Sequence, residues 1–400
     1  MATKILSFAT KALRRREALA IRLASHSAAV LSRPAQLTEL GNGIRVATED
    51  MGGATAAIDV CIESGIEIMG RLVSVPDFSN IENARNRVFR EMAATDADNE
   101  AVVMNGLHAM AFQNTSLALP VIGRSESLSQ LTQEDCQNYV NTHFKGPRIV
   151  VAVAGDVHHD DAVKSVDKSF SKITSLYDKS EIPILPRTRY TGSDIRIRDD
   201  AMPLAHIVLA VEGAPRDSND AIALNLASEL FGSWDRSHGG GGDTSSYLGI
   251  CSAVDNTTHG FRSFNISYAD TGLFGAYFVV ERMKQEDVLW HTTYEWKRYC
   301  MEITDNELNR GKNSLVTKIM RNNETPTAVA NNTSAEVLTF GRRVPLGEWR
   351  DRVLGLKAAR MRDICTEHIW DRCPVVSCIG PIEQFEDYEV VRGKFSWVRY

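Results

Sequence analysis

No stretch of this sequence approaches the roughly 18 consecutive apolar residues that a membrane-spanning helix needs, so membrane association would have to come through partners. Cysteine is scarce: seven residues, an odd number without a C-x-x-C, which argues for reduced thiols and against a disulfide framework or a zinc ribbon. Sequons such as Asn265-Ile266-Ser267 are then expected to be incidental. A strong charge of one sign is also lacking, and a net charge of -6 gives no reason to invoke nucleic acid. The glycine run Gly239 to Gly242 has no G-K-[ST] and no strand-to-helix order around it, so it reads as a flexible flap rather than a phosphate cradle.

What is present is an ordinary globular balance, 43% hydrophobic and 24% charged over 400 residues, enough for two or more domains with a sizeable core. Residues 1–33 differ from the rest. They carry Lys4, Lys11, Arg14, Arg15, Arg16, Arg22 and Arg33 against one acid, Glu17, interleaved with apolar residues. This basic, Ser-bearing, amphipathic composition is that of a mitochondrial transit segment; the plainer alternative is an exposed N-terminal helix.

From Pro34 the chain reads as folded. Leu37 to Asp50 is expected to be a hairpin around Gly41-Asn42-Gly43, and Ala54 to Ser64 a further apolar strand. Thr132 caps a helix running to about Phe144, stopped by Gly146 and Pro147, and Arg148 to Gly155 is an apolar central strand. His158-His159-Asp160-Asp161 begins a helix; adjacent residues there diverge by about 100°, so a solvated helix terminus is expected rather than a metal cluster. Residues 180–191 form the linker between a half at 34–179 and a half at 192–400. In the second half, Asp217 to Phe231 is a helix, Phe264 to Glu281 a hairpin turned at Ala269 to Gly272, and Thr304 with Glu307 a capping box.

The two halves repeat. Ile195 to Asp200, IRIRDD, matches the IRVATED that starts at Ile44, and His143 and His368 each stand 12 residues before a strand-closing glycine, Gly155 and Gly380. Between these landmarks the first half spans 99 residues and the second 173, so the first is shorter by 74. Each half mixes an antiparallel-type sheet with several helices, an α+β class. The second half is expected to fold by itself, and the shortened one to have a narrow sheet with an exposed edge.

The helix beginning at Ile81 carries an apolar stripe of Ile81, Ala84, Val88 and Met92, with Glu91 on its edge. That placement points a carboxylate toward an interior, where it would need a cation, a donor or a metal. The plainer alternative pairs it with Arg87 or leaves it solvated.

Several long stretches carry a family resemblance: LGNGIRVATED, REM…GLHAMAFQNT, KGPRIVVAVAGDV, TGSDIRIRDDAMPLAHIVLAVEGA, GSWDRSHGGG, SFNISYADTGLFGAY and FGRRVPLGEW. From Leu37 to Tyr400 the chain resembles the pitrilysin-type (M16) metallopeptidases, in the branch holding mitochondrial processing peptidase β subunits and core 1 subunits of the ubiquinol–cytochrome c reductase (bc1) complex. The resemblance implies two homologous α+β halves arranged as a clamshell, and an α-type (core 2 or processing peptidase α) partner. It also implies a zinc helix, H-x-x-E-H, with two histidine ligands, a Glu general base and a downstream Glu as third ligand. Here the chain passes from ESGIEI directly to MGRLVSVPDF, and no H-x-x-E-H occurs. The nearest lookalike, Ile364 to His368, has Ile where the first His must stand. Glu91 is the one surviving match to a family zinc ligand. Acidic family positions fall on Ala84, and the presequence-holding ones on Ala101 and Asn105, all neutral.

The expectation is therefore a non-catalytic subunit with no catalytic residue, no metal site and no cofactor. It would be a core 1-like component on the matrix side of the mitochondrial inner membrane, held among bc1 subunits and an α-type partner. The alternative is the β subunit of an active zinc processing peptidase, if another transcript restores the missing segment. A third is a degenerate paralogue that does neither.

Overall fold

The computed structural model describes residues 35–50, 57–175, 186–237, 241–243 and 246–396, with the side chains of 57–64 and 241 excepted. The expected transit segment, half of the linker and part of the glycine run lie outside the described residues. The fold is α+β, with two sheets.

The first sheet has three strands in the order β1-β2-β3. β1 (Gln36–Glu39) and β2 (Arg45–Asp50) form the hairpin expected around Gly41-Asn42-Gly43. Gly43 sits at φ +82°, where a side chain would be strained and a Cβ would come 2.9 Å from Pro147. β3 (Val150–Gly155) runs parallel to β2, with Arg45 opposite Val150 and Asp50 opposite Gly155. Because side chains alternate, Ile44 and Val46 share one face with Ile149, Val151 and Val153. That face packs on Ile66 and Val73 of α1 (Ala57–Ser74), Val166 of α6 (His159–Ser169), and Phe170 and Ile173. The opposite face meets α11 (Pro326–Phe340), chiefly along β3.

The strand expected over Ala54 to Ser64 is instead the start of helix α1, from Ala57 on. Ile58, Val60 and Ile62 alternate as in a strand, but Ile58, Ile62, Ile66, Met69 and Val73 recur every three or four residues, and over the longer window the helical period wins.

The second sheet has six strands in the order β4-β9-β5-β8-β7-β6: β4 (Asp194–Arg198), β5 (Ala205–Gly213), β6 (Ser233–Asp235), β7 (Gly260–Ser267), β8 (Gly272–Val280) and β9 (Val375–Gly380). β4 lies parallel to β9 as β2 lies parallel to β3. One face carries α3 (Asn99–Ala111), whose Val103, Leu107 and Ala111, followed by Phe112, pack on Val208, Ala210, Leu273, Tyr277 and Val375. The approach is close: a Cβ on Gly106 would lie 2.6 Å from Ser377 Oγ. The other elements of this body include α7 (Asn219–Phe231), α8 (Tyr247–Asp255), α9 (Gln285–Met301) and α13 (Ala358–His368). The buried Trp296 of α9 meets Phe231 and Phe274.

The repeat extends to the helices. α2 (Ile81–Asp96), α3, α4 (Ser125–Gln130) and α5 (Gln133–His143) lead to β3; α10 (Asp305–Arg321), α11, α12 (Leu346–Leu354) and α13 lead to β9. Residues 199–284 of the second half supply β5, β6, β7 and β8 with α7 and α8, whereas residues 51–56 alone separate β2 from α1.

Compactness does not follow the two halves of the chain. One unit contains residues up to Pro76, Asn141–Asp178 and Ile319–Asp351; the other contains Asp77–Val140, Lys179–Lys318 and Arg352–Tyr400. The reason is an exchange of helices: α3 of the first half covers the sheet of the second half, and α11 of the second half covers the sheet of the first.

Candidate functional site

In the second half, β5 ends at Gly213 and α7 begins at Asn219, capped by Ser218, whose side chain accepts a hydrogen bond from the Asp220 N–H. A strand followed at once by a helix is where the repeat would place an H-x-x-E-H helix in the first half. There the chain enters α1 instead, and α1 carries no histidine.

Glu91 lies on α2, which buries no residue. Its side chain is 55% exposed and accepts a 3.2 Å hydrogen bond from Arg87 Nε one turn earlier. The interior expected beside the Ile81–Met92 stripe is not closed: Ala84 is exposed, and Val88 and Met92 are half-buried. Ala101 and Asn105 lie on α3, Ala101 half-buried and Asn105 exposed. Among the described residues no three His, Cys, Asp or Glu side chains come together as a metal site. Among the described residues a zinc ion therefore finds no fitting donor set at Glu91. Replacing Glu91 by Gln is expected to change stability by less than about 0.5 kcal/mol, since an exposed i,i+4 pair contributes little. Urea unfolding midpoints of the two proteins check this.

The His158 to Asp161 segment corrects one detail. His158, Asp160 and Asp161 are exposed as expected, but His159 bridges the hairpin: its Nε2 lies 2.7 Å from Thr38 Oγ1 and its Nδ1 2.8 Å from Thr48 Oγ1. One ring nitrogen donates and the other accepts, so His159 pins α6 to β1 and β2.

Two polar clusters were not singled out from the sequence. On the second sheet, His206 Nδ1 lies 2.6 Å from Tyr277 OH, with Asn99 Nδ2 3.5 Å from Nε2. Burial pushes the His206 pKa down and the Tyr277 pKa far up, so both groups are neutral near pH 7. Nearby, His108 Nδ1–H donates to Met104 O and Nε2 accepts from Tyr268 OH, at 2.7 and 2.6 Å. The His206–Tyr277 pair joins β5 to β8, while Asn99 and His108 tie α3 to that side of the sheet.

The other cluster lies in FGRRVPLGEW. Arg343, its side chain 8% exposed, donates through Nε to Glu49 of β2 at 2.9 Å and pairs through NH1 with Glu336 of α11 at 3.0 Å. Glu336 also accepts from the Val344 N–H and from Trp349 Nε1, at 2.8 and 2.9 Å. Thr333 donates to the same Glu49 oxygen, and Arg45 NH1 donates to Val337 O. Gly341, left-handed at φ +71°, ends α11 and turns the arginines back. The cluster is saturated with partners. It ties α11 to the first sheet.

Residues 130–315 match the family model described as the peptidase M16 inactive domain. The human cytochrome b-c1 complex subunit 1, mitochondrial, is 40% identical over 347 residues, 86% of this chain and 72% of the relative. The chain belongs to the M16 peptidase family. The mouse cytochrome b-c1 complex subunit 1 is 39% identical, covering 84% of this chain and 70% of its own length. The human mitochondrial-processing peptidase subunit beta is 38% identical, covering 84% and 68%. Among solved structures, a chain of "Complex III2 from Candida albicans, Inz-5 bound" superposes with a TM-score of 0.84 at 22% identity, over 90% of this chain and all of that one. That likeness shows a shared fold.

Proposed function

We propose that this chain is a non-catalytic M16 subunit, a core 1-like component of the mitochondrial bc1 complex. The observation that carries the reading is the direct passage from β2 to α1, which leaves no place for a zinc helix, together with the engagement of Glu91 by Arg87 on an exposed face. Peptide hydrolysis by this family's route needs three protein donors around zinc and a carboxylate base; the chain offers one matching carboxylate. The human cytochrome b-c1 complex subunit 1, 40% identical against 38% for the human processing peptidase subunit beta, supports the same choice.

In this reading residues 1–33 are the transit segment, 34–179 and 192–400 the repeat halves joined by 180–191, and the protein works on the matrix side of the inner membrane. It binds an α-type partner and, through it and other bc1 subunits, the membrane. The processing-peptidase alternative keeps the same partner but requires zinc. The test mixes the purified chain with an α-type subunit and a presequence peptide. A one-to-one complex with no stoichiometric zinc and no chelator-sensitive cleavage is expected; zinc-dependent cleavage abolished by Glu91→Gln would restore the peptidase.

A further inference from the structure

We propose that the outer edge of β3 is a self-association site, at which β3 pairs antiparallel with β3 of a second copy of this chain. The inference does not depend on which complex the chain joins.

Among the described residues β3 ends the first sheet. With Arg45 opposite Val150, and the Arg45 N–H donating to Ile149 O, the backbone groups of Ile149, Val151 and Val153 face β2. Those of Val150, Ala152 and Ala154 face outward, and no described residue pairs with them. The strand lacks the usual protections of an edge: Val150 to Gly155 contains no charge, no proline and no bulge.

The second half shows what belongs at this position. Its equivalent strand, β9, has β4 on one side, parallel, and β5 on the other, antiparallel, with Val208 opposite Ser377 and Leu209 opposite Val376. Matching the closing glycines, Gly155 with Gly380, places Ala152 at Ser377 and Val151 at Val376. Among the described residues of the first half no strand pairs with β3 as β5 pairs with β9, and the stretch from Ala57 that follows β2 is helical. The first half does contain a close chemical copy of β5, β3 itself: Ile149 to Gly155 reads IVVAVAG, and Ile207 to Gly213 of β5 reads IVLAVEG.

Transferring the β9–β5 register to two copies of β3 sets Val150 opposite Ala152 of the second copy, Ala152 opposite its Val150, and Val151 opposite its Val151. The register is self-complementary, as a two-fold axis requires. It also uses the groups that are free, since Val150 and Ala152 become the hydrogen-bonded pairs and Val151 the close non-bonded pair on the axis. The product is one continuous six-stranded sheet, β1-β2-β3-β3-β2-β1, as wide as the sheet of the second half.

Sedimentation velocity of the full chain over a concentration series tests this, and a concentration-dependent dimer is expected. Ala152→Pro removes an outward N–H and leaves the ladder to β2 intact, so the variant should be monomeric with an unchanged circular dichroism spectrum and melting midpoint. Val151→Cys should give a covalent dimer on mild oxidation. Val153→Cys, about four residues from its own mate across the axis, should cross-link no more than the unmodified chain. A monomer at every concentration, a dimer that persists in Ala152→Pro, or equal cross-linking at 151 and 153 would overturn the proposal. If Ala152→Pro does not fold, the two cysteine variants decide by themselves.

Discussion

Arg343→Ala is expected to destabilise the chain by about 3–5 kcal/mol, the cost of removing one partner from a buried ion pair while the other charge stays behind. The environment makes the loss severe. Arg343 is the cation between two carboxylates, Glu49 and Glu336, and the Glu336 side chain is itself only 8% exposed. Glu336 keeps its hydrogen bonds from the Val344 N–H and Trp349 Nε1, but Glu49 keeps only that from Thr333. Removing Glu49 as well should recover part of the loss, with a coupling of about 1–3 kcal/mol between the two positions. Urea unfolding of the single and double variants measures both quantities. A loss below about 1 kcal/mol for Arg343→Ala would mean that water reaches the two acids and that the cluster does not hold α11 to its sheet.

The sequence makes the repeat visible because strand ends carry local chemistry. Gly155 and Gly380 both take a positive φ, so glycines there mark equivalent chain reversals. The turn at Gly43 is local for the same reason and is present; of the Thr304–Glu307 capping box one half is, the Glu307 N–H donating to Thr304 Oγ1 at 3.3 Å, while the Glu307 carboxylate pairs with Arg298. Helix α5 starts with a reciprocal cap in which Thr132 and Asp135 bond each other's backbone N–H groups. What stayed hidden depends on distant parts of the chain. Val103 and Leu107 are apolar in the sequence, but nothing local to α3 tells which sheet buries them. Likewise Glu91 lies on the edge of an apolar stripe, yet the local pattern does not tell that α2 buries no residue and that Glu91 stays exposed beside Arg87. FGRRVPLGEW was legible only as a stretch carrying the family resemblance; the role of Arg343 depends on Glu49, nearly 300 positions earlier.

The helix exchange reverses the expectation that the second half folds by itself. Residues 192–400 contain every strand of the six-stranded sheet but not α3, which covers one face of it. Expressed alone, that fragment would expose Val208, Ala210, Leu273 and Val375, and would forgo the burial of Val103, Leu107 and Phe112. At about 1.5–3 kcal/mol for each large side chain, the loss is roughly 5–9 kcal/mol, comparable to the whole net stability of a typical domain. The fragment 34–179 has the converse defect, since α11 and the Arg343 cluster that cover its three-stranded sheet lie beyond residue 320. Each fragment alone should therefore be aggregated or loosely packed, with exposed apolar surface that binds a hydrophobic dye. Produced together, the two should form a soluble one-to-one complex with the circular dichroism spectrum of the intact chain, because each supplies the helix the other lacks. A fragment 192–400 that unfolds cooperatively by itself, with a midpoint near that of the intact protein, would show that α3 is dispensable and that the halves, rather than the exchanged units, are what folds.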